Sequence, residues 1–351
     1  MIQPSFLQIA LSVILLGSFI AYLVTTAIMP FLIDRMTKRG ITGKDMNKYS
    51  KPPIPEMGGI GVFFGFTAGV TSVIGVLSYF NYVKPGSIEL NLTSLLAAFL
   101  TILVIGFIGV FDDLIGWKNG IRKWQHALLP VFAALPLIII PQTISTTSIT
   151  LPLIGSVYVG IFYSLFFIPL GVTGASNAVN MLAGFNGLEA GLGSILSFSM
   201  LLAFVFLPFG GEAKIEAIIL MASMLGALIA FLKFNWFPAK IFGGDSLTLM
   251  IGAGIAAASI IGGLEKIAFM FFILYFLELA FKSRHKMQSE CYGIPQKDGT
   301  LKPDPRGGSL TQAIMKSGKG NLTEKQVVAN ILAIQAITCV TVLVLAFLGV
   351  L

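Results

Sequence analysis

Apolar residues recur along this chain in runs longer than a soluble fold requires. Runs of about 17–25 residues mark helices able to cross a bilayer. Ten can be read: residues 6–32, 57–79, 92–111, 124–141, 157–175, 188–208, 215–232, 246–263, 267–281 and 326–350. The pattern predicts an all-α integral membrane protein with about ten transmembrane helices, forming one polytopic domain over residues 1–351. Most connections between the runs are short. The exception, residues 282–325, is rich in Gly, Pro, Ser and Lys and reads as one long loop. Residues 143–158, "TISTTSITLPLIGSVY", alternate weakly, as a small hairpin would.

Composition strengthens this picture. The chain is 56% hydrophobic and 11% charged, where a soluble domain carries about 25% charged residues. Mean hydropathy is +0.89. No polar segment is long enough to build a separate soluble core. Cys291 falls in the long loop and Cys339 in an apolar run, so the two make no disulfide framework. No internal repeat is visible, which leaves an inverted-repeat transporter without support.

Charge then orients the chain. Of the 23 basic residues, all but Lys84, Lys214 and Lys266 fall in alternate connections: around residues 35–51, 118–123, 233–240 and 282–325. Positive charge concentrates on the cytoplasmic side. These connections, including 282–325, are therefore expected in the cytoplasm and both termini outside. The net charge of +7 is mostly this asymmetry.

The acidic residues are few, and they collect at the cytoplasmic helix ends. "VIGFIGVFDDLIG" closes the third run on Asp112 and Asp113, and "IFGGDSLTLM" opens the eighth on Asp245. "KYSKPPIPEMGG" opens the second with Glu56, and "NAVNMLAGFNGLEAG" leads into the sixth with Asn177, Asn180 and Asn186. Each has a plainer reading. Asp245 before Ser246 is a candidate helix cap. Asn177 and Asn180 are candidate packing contacts between helices. Glu278, four residues before Lys282, is a structural ion pair. A pair of aspartates at a helix C-terminus is unfavourable and points to a cation nearby. Carboxylate and amide oxygens without a Cys or His cluster suit Mg²⁺, which takes one or two side-chain oxygens plus phosphates. Such a site beside basic loops at a membrane surface suits phosphoryl transfer to a lipid.

"GFIGVFDDLIG", "NAVNMLAGFNGLEAG" and "IFGGDSLTLMIG", in this order, resemble the core motifs of the polyprenyl-phosphate N-acetylhexosamine-1-phosphate transferases over nearly the full chain. The second motif, with "GKDMNK" and "IPEMGG", is most similar to the N-glycosylation branch, and "GIPQKDGTLKPDP" has an archaeal look. The resemblance implies transfer of N-acetylglucosamine-1-phosphate from UDP-N-acetylglucosamine to a polyprenyl (dolichyl) phosphate, releasing UMP. It implies Mg²⁺, replaceable by Mn²⁺, held by Asp245 and Asn180, and catalytic roles for Asp112 and Asp113. Substrate contacts follow for Glu56, Asn177, Asn186 and Phe242, the last stacking on uracil, and for the cationic stretch Arg284, His285 and Lys286. The family's pyrophosphate lysine falls on His126 here, with Arg122 and Lys123 one turn earlier as substitutes. The expected setting is the plasma membrane, with the active site cytoplasmic, no nucleic acid, and a homodimer as an open assembly. Two rival readings are a bacterial-type undecaprenyl-phosphate transferase and a transporter or flippase for a phosphorylated solute.

Overall fold

The computed structural model describes residues 4–86, 90–116, 123–140, 143–144, 148–151, 155–208 and 214–351. Its helices are α1 (Pro4–Arg39), α2 (Gly59–Val83), α3 (Leu92–Gly116), α4 (Lys123–Ala133), α5 (Leu135–Ile138), α6 (Ile168–Met181), α7 (Leu188–Phe206), α8 (Lys214–Asn235), α9 (Asp245–Gly262), α10 (Glu265–Phe271), α11 (Ile273–Arg284), α12 (Leu310–Ser317) and α13 (Glu324–Phe347). Among the described residues, seven helices are long and apolar enough to cross a membrane: α1, α2, α3, α7, α8, α9 and α13. The chain is an all-α integral membrane protein.

The other three predicted spans are helical but interrupted. Residues 124–141 divide into α4 and α5 at Ala134, with Pro130 inside α4 and Pro136 just after the break. Proline has no N–H to return to the preceding turn. Residues 157–175 hold a wide π-helical turn, Tyr163–Phe167, before α6. Residues 267–281 break at Phe272 between α10 and α11. Neither proline nor glycine marks that third break.

Burial runs opposite to that of a water-soluble bundle. Helix α9 is central, with 94% of its apolar window buried, against 22% for α1. The outer helices present Leu11, Leu15, Phe19 and Leu23 from α1, and Ile337, Val340, Val344 and Phe347 from α13, to their surroundings. Exposed apolar faces of this extent need a hydrocarbon solvent. Without a hydrophobic force between helices in lipid, close backbone approach holds the bundle together. At Gly226 of α8, an added Cβ would stand 2.1 Å from the Ser18 carbonyl oxygen of α1 and 2.6 Å from its Cα. Gly226→Ala is therefore expected to destabilise the protein by about 1–3 kcal/mol. A lowered thermal midpoint in detergent would show it.

The weak alternation over 143–158 does form a hairpin: Ser148–Leu151 pairs antiparallel with Gly155–Tyr158. The segment 282–325 departs from its reading as a loop. It contains a three-stranded antiparallel sheet of Ile294–Pro295, Thr300–Lys302 and Leu322–Thr323, together with α12. Strands of two or three residues are too short to show a period. Local chemistry builds them instead. The Asp298 carboxylate accepts from the Thr300 N–H (3.0 Å) and hydroxyl (2.7 Å), closing the turn, and Ser309 caps α12. Glu278 anchors the segment to the bundle. It is fully buried, pairs with Lys282 at 3.4 Å as expected, and accepts from the Ser309 hydroxyl (3.0 Å) and the Leu310 N–H (2.7 Å).

Candidate functional site

One end of the bundle gathers the ends of α3, α6, α8 and α11, the starts of α7 and α9, and the loops before α2 and after α11. They surround a cavity of about 700 Å³. Of the predicted site residues, Glu56, Asp112, Asp113, Asn180, Phe242 and Asp245 line it. Four separate apolar runs thus deliver their polar ends to one place.

The start of α9 sets the geometry. The residue before the helix is Gly244, at φ 76°, a backbone region that favours glycine. It has no side chain to cap the helix. Asp113 of α3 supplies the cap: its Oδ1 accepts from the Asp245 N–H at 2.7 Å, and its Oδ2 from the Ser246 N–H at 3.1 Å and hydroxyl at 2.7 Å. Asp245 is accordingly the first helical residue rather than the cap, and its carboxylate lines the cavity. Asn180, in the last turn of α6, accepts from the Thr248 hydroxyl one turn into α9 at 3.2 Å. That bond ties the amide to the helix that carries Asp245.

Between α6 and α7 the chain turns through Gly184 (φ 103°) and Gly187 (φ 81°). Glu189 lines the cavity and accepts from the Gly184 N–H. Asn186, expected at a substrate, is turned away from the cavity. Its Oδ1 accepts from the Ala239 N–H at 2.8 Å, and its Nδ2 donates to Asp45 at 3.2 Å. Asn177 also lies off the cavity lining, its Nδ2 donating to the Thr173 carbonyl within α6 at 2.9 Å.

The cationic stretch also lies apart from the cavity. Arg284, His285 and Lys286 are exposed and do not line the cavity. Helix α11 ends at Arg284, and the chain reverses there with Lys286 at φ 54°. Lys282, one turn earlier, and Lys44, from the "GKDMNK" loop, are the lysines that reach the lining among the described residues. Arg122 lies outside the described residues, as do the side chains of Lys123 and His126. Sequence reasoning also missed Tyr292, because it lies in the segment read as loop.

The rim is clasped by buried polar groups. Asn47 donates to the Gly184 carbonyl (3.0 Å) and accepts from the Gly293 N–H (3.1 Å), joining three loops. Lys48 pairs with Asp45 (3.3 Å) and with Glu324, and lies 3.9 Å from the Phe237 ring centre. Glu324 also accepts from the Asn186 N–H at 2.8 Å.

Electrostatically the cavity is acidic. Glu56, Asp112, Asp113, Glu189, Asp245 and Glu290 face Lys44 and Lys282. Burial, and then the charge of Asp245, raise the carboxyl of Glu56 above its ordinary value. Burial and the neighbouring Glu189 push the Tyr292 phenol up to about 12. No group of three or more His, Cys, Asp or Glu among the described residues is placed to hold a metal ion. What the cavity offers is the Asp112 and Asp245 carboxylates beside the Asn180 amide and the Thr248 hydroxyl, an all-oxygen set that fits a hard cation sharing its shell with water and phosphate.

Comparison with known proteins places this arrangement. The profile of glycosyl transferase family 4 matches residues 95–263. A Sulfolobus acidocaldarius protein, provisionally named UDP-N-acetylglucosamine–dolichyl-phosphate N-acetylglucosaminephosphotransferase, is 37% identical over 87% of this chain and 88% of its own. The Schizosaccharomyces pombe enzyme of that name is 30% identical over 73% of this chain and 63% of its own. A phospho-N-acetylmuramoyl-pentapeptide-transferase of Limosilactobacillus reuteri is 32% identical over 74% and 78%. With this breadth of identity, and with the shared region spanning the helices that carry Asp112, Asn180 and Asp245, the chain belongs to glycosyl transferase family 4.

Proposed function

We propose that the protein transfers N-acetylglucosamine-1-phosphate from UDP-N-acetylglucosamine to a polyprenyl (dolichyl) phosphate, releasing UMP and starting a lipid-linked oligosaccharide for N-glycosylation. The observation that carries this reading is the convergence of Asp112, Asn180, Phe242 and Asp245 on one cavity at the end of a membrane bundle. The names of the Sulfolobus and Schizosaccharomyces relatives support the substrates.

An acid-lined cavity accepts a diphosphate only with a cation present, which is the case for Mg²⁺ or Mn²⁺ here. Asp245 and Asn180 would hold the ion. When bound, it neutralises diphosphate oxygens and eases the departure of UMP. The chain's own groups do the rest. Phe242 offers a face for the uracil. Lys44 and Lys282 supply positive charge at the wall. A phosphate oxygen of the polyprenyl phosphate attacks the sugar-linked phosphorus in line, and the bond from that phosphorus to the UMP oxygen breaks. Asp112 accepts any proton remaining on the acceptor phosphate.

The Limosilactobacillus relative gives a second reading, a bacterial-type transferase using undecaprenyl phosphate. A transporter finds no support, since the cavity lining gathers at one end of the helices. UMP release by purified protein, assayed with a panel of UDP-sugars and polyprenyl phosphates, separates the three. A transporter releases none, and a cell-wall enzyme prefers a muramoyl nucleotide.

The basic-residue asymmetry argues that this end faces the cytoplasm. Cys291 and Cys339 are buried, so neither reports sidedness. Lys297 is exposed in the turn between two strands of the small sheet. Lys297→Cys, in a background lacking both native cysteines, is expected to resist an impermeant thiol reagent in right-side-out vesicles and to react once they are permeabilised. Labelling of sealed vesicles would put the site on the outer face.

A further inference from the structure

We infer that Asp113 is a positioning residue: it caps α9 from the neighbouring helix and so aims Asp245. The inference rests on the phosphotransfer reading for the role of Asp245, but its geometry stands apart from that reading.

A carboxylate has about four lone-pair positions. Asp113 has three engaged by two consecutive residues: Oδ1 with the Asp245 N–H, and Oδ2 with the Ser246 N–H and hydroxyl. This is the bonding of an N-cap, where an oxygen satisfies amides that the first helical turn leaves unpaired. The helix has no cap of its own, because Gly244 stands at that position. Gly244 is also required there, since a Cβ would lie 2.5 Å from Asp113 Oδ2. Close packing of α3 on α9 brings the two together: at Gly109 of α3 a Cβ would lie 2.5 Å from Ser246 Cα. The "GFIGVFDD" and "GGDS" stretches are thus one cross-helix joint.

The joint also accounts for acidic residues in the last turn of α3, where the helix dipole disfavours them. The positive end of α9 meets Asp113 directly, so what opposes the carboxylate on its own helix is offset by the next.

Function enters through Asp245. Its backbone N–H is held at its own residue by Asp113. Thr248, one turn on, holds the Asn180 amide. A frayed first turn would shift the Asp245 carboxylate relative to Asn180, and a misplacement of about 1 Å costs on the order of 10²-fold in rate.

Asparagine caps helices about as well as aspartate, and alanine does not. Asparagine at 113 keeps one acceptor oxygen, enough for the Ser246 N–H and hydroxyl, but sets an NH2 donor against the Asp245 N–H. Asp113→Asn thus weakens a cap part-way, whereas a proton acceptor is lost alike in the Asn and Ala variants. Two readouts separate these on the full-length protein: thermal midpoint without Mg²⁺ or substrate, and UMP release as a function of Mg²⁺ concentration. Asp113→Asn is expected to melt between the wild type and Asp113→Ala and to lose less rate than Asp113→Ala. Asp113→Ala is expected to melt a few degrees below the wild type, to lose about 100-fold in rate, and to need more Mg²⁺ for half-maximal activity. If Asn and Ala variants are equally slow and all three proteins melt together, Asp113 is not a cap and the inference is wrong. If the wild type itself releases no UMP, the functional reading falls, and the melting order still decides the cap.

Discussion

Asp245→Ala is expected to lower UMP release by about 10³-fold or more while leaving the fold intact. The two halves of that expectation have different sources. The rate loss follows from the place of the carboxylate. It lines the cavity at the first residue of α9, with Asn180 held to the next turn of the same helix. A contact to a cation that stabilises transition-state charge contributes several kcal/mol, and each 1.36 kcal/mol is tenfold in rate. The intact fold follows from the cap. What closes the end of α9 is the Asp113 carboxylate on the backbone N–H of residue 245, which alanine retains. A thermal midpoint close to wild type without Mg²⁺, alongside a rate that excess Mg²⁺ does not restore, is the expected pair of results. Near-normal turnover at ordinary Mg²⁺ would falsify the role given to Asp245.

The sequence carried more of the site than of its surroundings. Asp112, Asn180 and Asp245 could be read because polar side chains are costly near hydrocarbon and therefore few. Once the apolar runs are marked, these residues stand at one end of the runs by alternation alone. Continuity of the helices was less legible. Apolarity states that a segment lives in the membrane, not that it is one unbroken helix. Pro130 and Pro136 hinted at the break at Ala134, but nothing in "FMFFILYF" marks the break at Phe272.

The placement of the cationic residues was illegible for a different reason. "KSRHKM" reads as one basic stretch, yet the side chains of a helix end diverge by about 100° per residue. Lys282 reaches the cavity while Arg284 does not. Its i,i+4 pairing with Glu278 was visible, and that sufficed to explain it, so a second role went unread. Asn186 was read as a ligand for the base because of its motif. The structure gives its amide to Asp45 and Ala239, contacts 141 and 53 residues away along the chain, and no local pattern encodes such pairings.

Asp112→Asn is expected to reduce kcat by about 10²–10⁴-fold with little change in KM for the UDP-sugar. The substitution keeps size and polarity and removes the capacity to take a proton. Asp112 is only 6% exposed and lines the cavity next to the capping Asp113. Its expected task concerns the acceptor phosphate rather than nucleotide binding, which explains the split between kcat and KM. The same residue could in principle attack the sugar-linked phosphorus itself, forming an aspartyl phosphate before the lipid enters. The two routes differ before any lipid is added. A two-step enzyme mixed with UDP-N-acetylglucosamine alone releases one UMP per active site in a burst. Direct displacement releases none until polyprenyl phosphate arrives. The direct route needs one in-line attack by an oxygen already anionic at neutral pH, so no burst is expected from the wild type. A stoichiometric burst that disappears in Asp112→Asn would instead make Asp112 the nucleophile.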